Sequence, residues 1–427
     1  MKAKVYVSSF SRGIVGPAVE VFDHVKDGGS IVANTAPGCW GPMITPIFKG
    51  GHEVTKPVAV ENANIGDALA IYIKSIKVTS MATSSGVMAP EDTKYKSDPF
   101  VDRYCPSCGT ENPPTKLVGI GANSVRCAIC GAEVSPFKFA NGYTMMFDNE
   151  SNLGITVNRS KAEELARDAE NVMKLPHNSE QNPIVIMCPA DIEGIVTRIR
   201  PFIGNIGTTP PINMPDSHNA GDFGQFLIGA SHEYALTKEQ LELRTDSHMD
   251  INIVREGAIL ICPVKVEGGG IFIGDVHAMQ GDGEVAGHTT DVSAEIEITV
   301  KVIKGLSLEG PIIFPIAEDL PLLAKPFTKK DKDNIYKLSK KFNQIIPEML
   351  PIQFVGSGAN LNDAFDNAVE RASNMLNYEK EKILNLATIA GSVQIGRLPG
   401  IIRLTIMAEK EKFEDLNLYE IAKKQYG

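Results

Sequence analysis

The chain has 427 residues, enough for two or three packed units, and its 43% hydrophobic and 22% charged residues are ordinary for a globular protein. A net charge of −10 argues against nucleic acid as a partner, because an acidic surface repels phosphate backbones. We find no signal-peptide pattern and no apolar run near the roughly 18 residues that span a bilayer, so we expect a cytoplasmic protein without a membrane partner.

Residues 1–95 are predicted to form an N-terminal β-rich domain, because Gly-containing turns precede β-branched apolar runs there. One such run, ALAIYIKS, begins at Ala68. Both of its alternating faces are largely apolar, which predicts a strand buried between two layers.

Residues 96–140 are predicted to form a zinc-ribbon-like insertion with little apolar periodicity of its own. Two Cys-x2-Cys pairs, eighteen residues apart, place four thiolates within reach of one ion. These four metal ligands are Cys105, Cys108, Cys127 and Cys130. The spacing predicts a structural zinc ion, with iron as the alternative.

A shell of four cysteines is closed to water, so we expect this ion to fold the insertion rather than to take part in chemistry. A zinc ribbon can also bind nucleic acid, but Lys116, Arg126 and Lys138 provide little basic surface for that role. The three other cysteines are interpreted as buried core thiols: Cys39, Cys188 and Cys262.

Residues 141–320 are predicted to form a central α/β region that carries the active site. The run 160–175 has helical periodicity, and Ser160 with Glu163 predicts a capping box at its start. Short apolar runs predict strands at 182–188 and 258–266.

Residues 321–427 are predicted to form a C-terminal region of helices and strands that packs on the core. The run 361–391 carries one apolar stripe at helical spacing, and a strand is predicted at 401–410. The Lys-rich run 329–341 is interpreted as a solvated helix face, with a binding patch as the alternative.

The densest polar cluster lies within residues 268–296, directly after an apolar run. Asp275 and His277 are two residues apart, so a continuing strand would project both from one face. A carboxylate and an imidazole on one face begin a site for a divalent metal. His248 and Asp250 repeat this spacing upstream, so two such pairs could supply four ligands.

The turn after His277 adds an amide and two carboxylates, from Gln280, Asp282 and Glu284. A metal with an open coordination position would activate water for amide hydrolysis without a nucleophilic side chain. However, Asp-Gly-Glu is also common in hairpin turns, and a lone His near a strand end is more often structural than a ligand. Spacing alone leaves both interpretations open and names no reaction.

Four stretches resemble motifs of the acetamidase/formamidase family, in the same order along the chain. The likeness is close in GDVHAMQGDGEVAG, and the whole set covers residues 54–76, 201–210, 274–287 and 386–398. The resemblance extends over most of the chain outside the cysteine insertion. It implies an α/β, β-rich fold, which is a sandwich of sheets with peripheral helices, to which a small zinc knob is added.

The resemblance also implies hydrolysis of small linear amides, such as formamide and acetamide, to a carboxylate and ammonia by a metal-activated water. It implies a homodimer or a higher homo-oligomer, and a second divalent metal, zinc or calcium, at the active site. The candidate ligands of that metal are His248, Asp250, Asp275 and His277. The candidate catalytic groups are Gln280, which would orient the substrate, and Glu284 or Asp282, which would carry the proton.

Three departures from the family pattern accompany this resemblance. His248 stands where the family usually has Asn, Ser392 replaces an acidic residue, and the early loop at 37–43 matches poorly. These changes bear on the substrate and the metal rather than on the fold. The alternative function is a non-catalytic binding or scaffold protein of the same fold, whose zinc knob contacts a partner.

Overall fold

The structure is a computed structural model that describes residues 1–40, 44–48, 51–90, 104–135, 137–220 and 236–427. Its strands are β1 (Lys2–Val7), β2 (Ile14–Val15), β3 (Asp23–Thr35), β4 (Val58–Val60), β5 (Ala68–Val78), β6 (Ala82–Pro90), β7 (Thr115–Leu117), β8 (Val125–Cys127), β9 (Phe137–Asp148), β10 (Leu153–Thr156), β11 (Val196–Arg198), β12 (Phe202–Thr208), β13 (Met214–Pro215), β14 (Ile259–Pro263), β15 (Ile271–His277), β16 (Asp291–Val292), β17 (Ala294–Ile303), β18 (Ile312–Phe314), β19 (Met349–Ser357), β20 (Ser392–Arg397) and β21 (Ile401–Glu409). Its helices are α1 (Arg159–Arg167), α2 (Ala169–Met173), α3 (Lys238–Leu241), α4 (Lys329–Phe342), α5 (Leu361–Leu376), α6 (Lys380–Ala390), α7 (Lys410–Asp415) and α8 (Tyr419–Tyr426).

One mixed sheet of thirteen strands dominates the molecule. Its main path runs β12-β15-β4-β3-β17-β5-β14-β18-β19-β21-β20, while β1 pairs with β3 and β16 with β15. Neighbours are antiparallel except that β3 runs parallel to both β1 and β4. The sheet draws strands from residues 1–95, 141–320 and 321–427, and the predicted division into domains stays a prediction.

Two buried apolar clusters lie on opposite faces of this sheet. In β5, Leu69 and Ile71 belong to one cluster, and Ala68 and Ala70 to the other, because successive strand residues point to opposite faces. Helices α5 to α8 cover the second face. The predicted burial of β5 between layers is therefore confirmed for its first half, whereas the second half exposes two lysines.

The apolar stripe and the strand predicted in the C-terminal region are confirmed. The stripe of α5 packs against the sheet, with Ala368 and Ala372 fully buried, and β21 covers the strand predicted at 401–410. α4 has no buried residue, as expected of a solvated helix. No helix among the described residues is both long and apolar enough to cross a bilayer.

Two predictions for the central region are wrong. The cap of α1 is Asn158, whose side chain accepts a hydrogen bond from the Lys161 amide, so Ser160 lies inside the helix. Residues 184–187 form a buried 3-10 turn instead of a strand, since a short apolar run has the same pattern in both. The other predicted strand of this region is confirmed as β14.

The cysteine insertion emerges from a second, four-stranded sheet with the order β11-β10-β9-β6. β6 and β9 are antiparallel neighbours, and the insertion connects them. The described part of the insertion contains the small hairpin β7–β8. Residues 91–103 and Pro136 lie outside the described residues.

A buried ion-pair network ties the segment before β14 to the C-terminal region. Asp246 accepts hydrogen bonds from Arg244 at 2.9 Å, from Ser357 at the end of β19 at 2.7 Å, and from Arg371 of α5. Burial alone would raise the pKa of Asp246, but the two guanidinium groups outweigh it and hold that pKa well below its usual range. The network therefore depends on an ionised Asp246.

We expect Asp246→Asn to lower the free energy of unfolding by about 3–5 kcal/mol, because it leaves two buried guanidinium groups without their counter-charge. Because the folded-state pKa is lowered, this stabilisation is present above the unfolded pKa of about 3.9 and is lost as the pH falls below it. Denaturant titration of both proteins at several pH values measures the difference. Glu370→Gln on the exposed face of α5 is the control and should change stability little. Equal effects of the two substitutions would contradict the role of the network.

Candidate active site

β15 brings two of the predicted ligands together in the protein interior. Asp275 and His277 are fully buried, and Oδ1 of Asp275 lies 3.0 Å from Nε2 of His277. β15 pairs with β12 and β4, and its end also pairs with β16. Asp275 has a φ of 54°, which is uncommon for a residue other than Gly and typical of strained functional positions.

The segment before β14 supplies the second predicted pair. The amides of Met249 and Asp250 donate to the Gly204 carbonyl of β12, at 2.9 and 3.1 Å. This contact holds His248 beside β15, where its Nε2 lies 2.8 Å from Oδ2 of Asp250 and 3.5 Å from Oδ2 of Asp275. The four ligands predicted for an active-site metal therefore lie in one buried cluster.

Two further candidate ligands come from the N-terminal region and are not predicted from the sequence. His52 lies in a loop that is fixed to β15 by a hydrogen bond from the Thr55 amide to the Ile273 carbonyl. Its Nε2 lies 3.3 Å from Sγ of Cys39 and 3.6 Å from Oδ2 of Asp275. Cys39 is buried, as expected of a core thiol, but its sulfur faces the site.

Two buried aspartates support these imidazoles. Asp291 of β16 has Oδ1 3.3 Å from Nε2 of His277, and the same oxygen accepts a hydrogen bond from the Cys39 amide at 3.2 Å. Oδ1 of Asp216 lies 3.5 Å from Nδ1 of His52, on the ring side opposite Cys39. Neither aspartate was singled out in the sequence.

The two predicted proton carriers have different surroundings. Glu284 is buried, and its Oε2 accepts a hydrogen bond from Nε of Arg397 at 3.0 Å. The same Nε lies 3.1 Å from Oδ2 of Asp250, so Arg397 links Glu284 to the cluster. The Asp282 side chain is 47% exposed and pairs with Arg403, so it lies at the margin of the cluster.

Gln280 contacts the polypeptide itself. Its Nε2 donates to the backbone carbonyl of Asp250 at 2.8 Å, and its buried Oε1 accepts no hydrogen bond from the described residues. Gln280 therefore supports the Asp250 backbone, and a role in orienting the substrate stays a prediction.

The cluster concentrates negative charge in the interior, with Arg397 as the guanidinium that contacts it. Burial raises the pKa of Asp216, and it raises the pKa of Asp291 to about 6. Burial and the negative charge of Asp250 together raise the pKa of Glu284 well above its usual range. The buried carboxylates are Asp216, Asp250, Asp275, Glu284 and Asp291.

Asp275 and His277 respond differently to burial. At Asp275 the charges of His52 and His277 outweigh burial and hold the pKa well below its usual range. Burial opposes the charged form of His277 as well, but Asp275 and Asp291 hold its pKa well above its usual range. Without a cation, the cluster would thus neutralise its charge with protons on His277 and on several carboxyl groups.

The donor atoms fit a divalent cation as the other means of neutralisation. Oδ1 of Asp250 and Oδ2 of Asp275 accept no hydrogen bond from the described residues, and such buried acceptors are costly unless a cation faces them. Two sets have donor atoms within 4.8 Å of one another. The first set is Cys39, His52, His248 and Asp275, and the second is Asp250, Asp275 and His277.

The predicted four-cysteine cluster is present as a separate site. Sγ of Cys105 lies 3.5 Å from Sγ of Cys130, and Sγ of Cys108 lies 3.9 Å from Sγ of Cys127. A tetrahedral zinc with sulfurs at about 2.3 Å has sulfur–sulfur distances of about 3.8 Å. All four are free thiols, so their spacing fits a metal rather than a disulfide.

The unpredicted residues at the active site left weak signals in the sequence. His52 lies two residues before the motif at 54–76, Asp291 lies inside the polar stretch 268–296, and Arg397 lies inside the motif at 386–398. These stretches are recognisable in the sequence, but the tertiary structure decides which of their side chains reach the site. Cys39 follows a Pro-Gly pair in the poorly matched loop, and its sequence context contains no such signal.

The chain matches the model of the Acetamidase/Formamidase family over residues 19–407. A recombinant predicted acetamidase/formamidase from Thermoanaerobacter tengcongensis is similar in structure, with 17% identity, a TM-score of 0.55, and coverage of 97% of this chain and 98% of that one. An acetamidase from Bacillus halodurans has 15% identity, a TM-score of 0.53, and coverage of 97% and 99%.

An acetamidase from Yersinia enterocolitica has 16% identity, a TM-score of 0.52, and coverage of 96% of this chain and 92% of that one. No curated protein sequence is significantly similar to the chain. At these identities the structural likeness establishes the fold, and it confirms the predicted β-rich architecture.

Gly38 tests how closely the N-terminal loop packs on Asp275, because a Cβ added there would lie 1.5 Å from Oδ1 of Asp275. We expect Gly38→Ala to displace this carboxylate and to weaken metal binding about 10–100-fold, the range for groups that position a ligand from outside. Competition with a metal indicator measures the affinity. Gly281→Ala, where an added Cβ meets nothing within 4 Å, is the control. An unchanged affinity in Gly38→Ala would remove Asp275 from the metal site.

Proposed function

Because the chain is an amidohydrolase of the acetamidase/formamidase family, we propose that it cleaves the C–N bond of small linear amides, such as formamide and acetamide. The products would be a carboxylate and ammonia, and the nucleophile would be a metal-activated water. The observation that carries this proposal is the buried cluster around Asp275, whose donor atoms fit a divalent cation. Zinc and calcium are both candidates for it.

A cation in this cluster would lower the pKa of a coordinated water towards about 7 and polarise the amide carbonyl. The ligands of this cation would be Asp250, Asp275 and His277. Their burial keeps bulk water away, which strengthens every charge interaction with the reacting atoms. Gln280 would maintain the Asp250 backbone through its hydrogen bond to the carbonyl.

Glu284 would carry the proton from the water to the departing nitrogen. Its position beside Arg397 and Asp250 places it at the edge of the donor cluster, and its raised pKa makes it a better proton acceptor than an ordinary carboxylate. We favour Glu284 over Asp282, because the exposed Asp282 carboxylate is paired with Arg403.

A thiol nucleophile is a second candidate, favoured by one observation. Cys39, His52 and Asp216 lie in a row, with Sγ–Nε2 and Nδ1–Oδ1 distances of 3.3 and 3.5 Å. Reactive cysteines need electropositive surroundings that stabilise the thiolate. Here burial and the charges of Asp275 and Asp291 raise the pKa of the Cys39 thiol well above its usual range, so the hydrolytic water is the better-supported nucleophile.

The remaining proposals concern the wider protein. The substrate would be a small amide, without nucleic acid or membrane, and the chain would form a homodimer or a higher homo-oligomer in the cytoplasm. The four-cysteine knob would hold a structural zinc that does not touch the substrate. A binding or scaffold protein of the same fold remains the alternative to this enzyme.

Ammonia release from formamide, acetamide and propionamide tests the proposal. We expect turnover of at least one of them, its loss after treatment with a chelator, and its recovery when zinc or calcium is returned. Folded protein that turns over none of the three amides would favour the scaffold alternative. Turnover that survives metal removal and ends with Cys39→Ala would favour the thiol nucleophile.

We expect Glu284→Gln to lower kcat about 10²–10⁴-fold, because the amide cannot carry a proton between water and nitrogen. Asp282→Asn is the matched control and should retain most of the activity. Steady-state ammonia release with thermal melting of both variants gives the comparison. If Asp282→Asn were the inactive variant and Glu284→Gln the active one, the proton carrier would be misassigned.

A further inference from the structure

The two oxygens of Asp275 face different donor groups. Oδ2 lies 3.6 Å from Nε2 of His52 and 3.5 Å from Nε2 of His248, whereas Oδ1 lies 3.0 Å from Nε2 of His277. Asp275 is also the residue that the two donor sets have in common. A carboxylate with one oxygen directed to each of two ligand sets has the arrangement of a bridge between two metal ions.

Three donor–donor distances in the first set have the dimensions of a zinc site. A tetrahedral zinc with nitrogen and oxygen ligands at about 2.0–2.1 Å and sulfur at about 2.3 Å has donor–donor distances of roughly 3.3–3.6 Å. The observed distances from His52 Nε2 to Cys39 Sγ and to Asp275 Oδ2 are 3.3 and 3.6 Å, and that from His248 Nε2 to Asp275 Oδ2 is 3.5 Å. Thiolate and imidazole ligands together also favour zinc over calcium.

The groups around His52 orient it as a metal ligand. Its Nδ1 lies 3.2 Å from Nδ2 of Asn205 and 3.5 Å from Oδ1 of Asp216, and both of these side chains are fully buried. Polar groups that hold one ring nitrogen fix the orientation of an imidazole whose other nitrogen binds a metal. The other nitrogen of His52, Nε2, faces Cys39 and Asp275.

We propose that the active site holds two metal ions that share the Asp275 carboxylate. Zinc would occupy the set of Cys39, His52, His248 and Asp275, and a second divalent ion would occupy the set of Asp250, Asp275 and His277. The proposed function concerns the second ion, so the inference rests on it in part. The first ion is additional.

The two metal sites would have different roles. The first has four protein donors, which fill a tetrahedral shell and leave no position for water or substrate. The second has three, so it retains open positions on the side where Glu284 and Arg397 lie next to Asp250. The zinc would therefore fix Asp275, and with it the geometry of the open site.

Counting metal ions in the purified full-length protein by elemental analysis tests the inference, with all four knob cysteines replaced by Ser as the background that removes the knob ion. We expect two ions per chain in that background. Adding Cys39→Ser or His52→Ala should remove one ion and leave the other, and adding His277→Ala should also leave one. Asp275→Asn should weaken the binding of both ions, since each site loses a ligand.

Cobalt substitution in the same background identifies the sulfur ligand. The thiolate-to-cobalt charge-transfer band should be present with Cys39 and absent in Cys39→Ser, a conservative change that preserves the volume of the side chain. Thermal melting establishes that each variant is folded. A spectrum without this band, in a folded protein that binds cobalt, would overturn the first site.

Ammonia release from the same samples separates this inference from the proposed function. A single ion in the background without the four knob cysteines, removed equally by the His52 and His277 substitutions, would overturn the two-ion site even if the amide were hydrolysed. Two ions with the expected losses, but without turnover of any amide, would support the two-ion site and contradict the proposed function.

Discussion

The candidate active site is governed by the concentration of buried negative charge around Asp275. Five of its carboxylates have at most 2% exposure, those of Asp216, Asp250, Asp275, Glu284 and Asp291. Such charges are stable in the interior only when protons or a cation compensate them. Asp250, Asp275 and Glu284 also have left-handed φ values between 41° and 54°, which is strained backbone at the positions where the charges meet.

The fold supplies what this arrangement requires. β15 carries Asp275 and His277, and its neighbours on both sides deliver the other groups by backbone pairing. The 3-10 turn at 184–187 packs in the cluster that contains Cys39 and Trp40, and Leu117 of the knob hairpin packs against the same cluster. The four-cysteine knob is therefore coupled by packing to the loop that carries Cys39, although a metal shell of four cysteines is closed to chemistry.

The sequence predicts features that depend on the spacing of neighbouring residues. Asp275 and His277 are two residues apart on a strand, and His248 and Asp250 repeat that spacing, so these four residues are recognisable from periodicity. His52 and Asp291 could not be selected in this way, because backbone pairing with β15 brings them to the site. Cys39 reaches the site through the hydrogen bond from its amide to Asp291. The predicted N-cap of α1 is wrong because Asn158 and Ser160 are both residue types that suit an N-cap, and only the backbone conformation decides between them.

A crystal structure with anomalous scattering data collected at the zinc absorption edge tests the central claim most directly. It locates each bound ion and the side chains around it in one experiment. The account predicts density among the four cysteines of the knob and further density in contact with Asp275. Density at the knob alone, with Asp275 hydrogen-bonded directly to His277 in a metal-loaded protein, would show that protons rather than cations balance the buried charge.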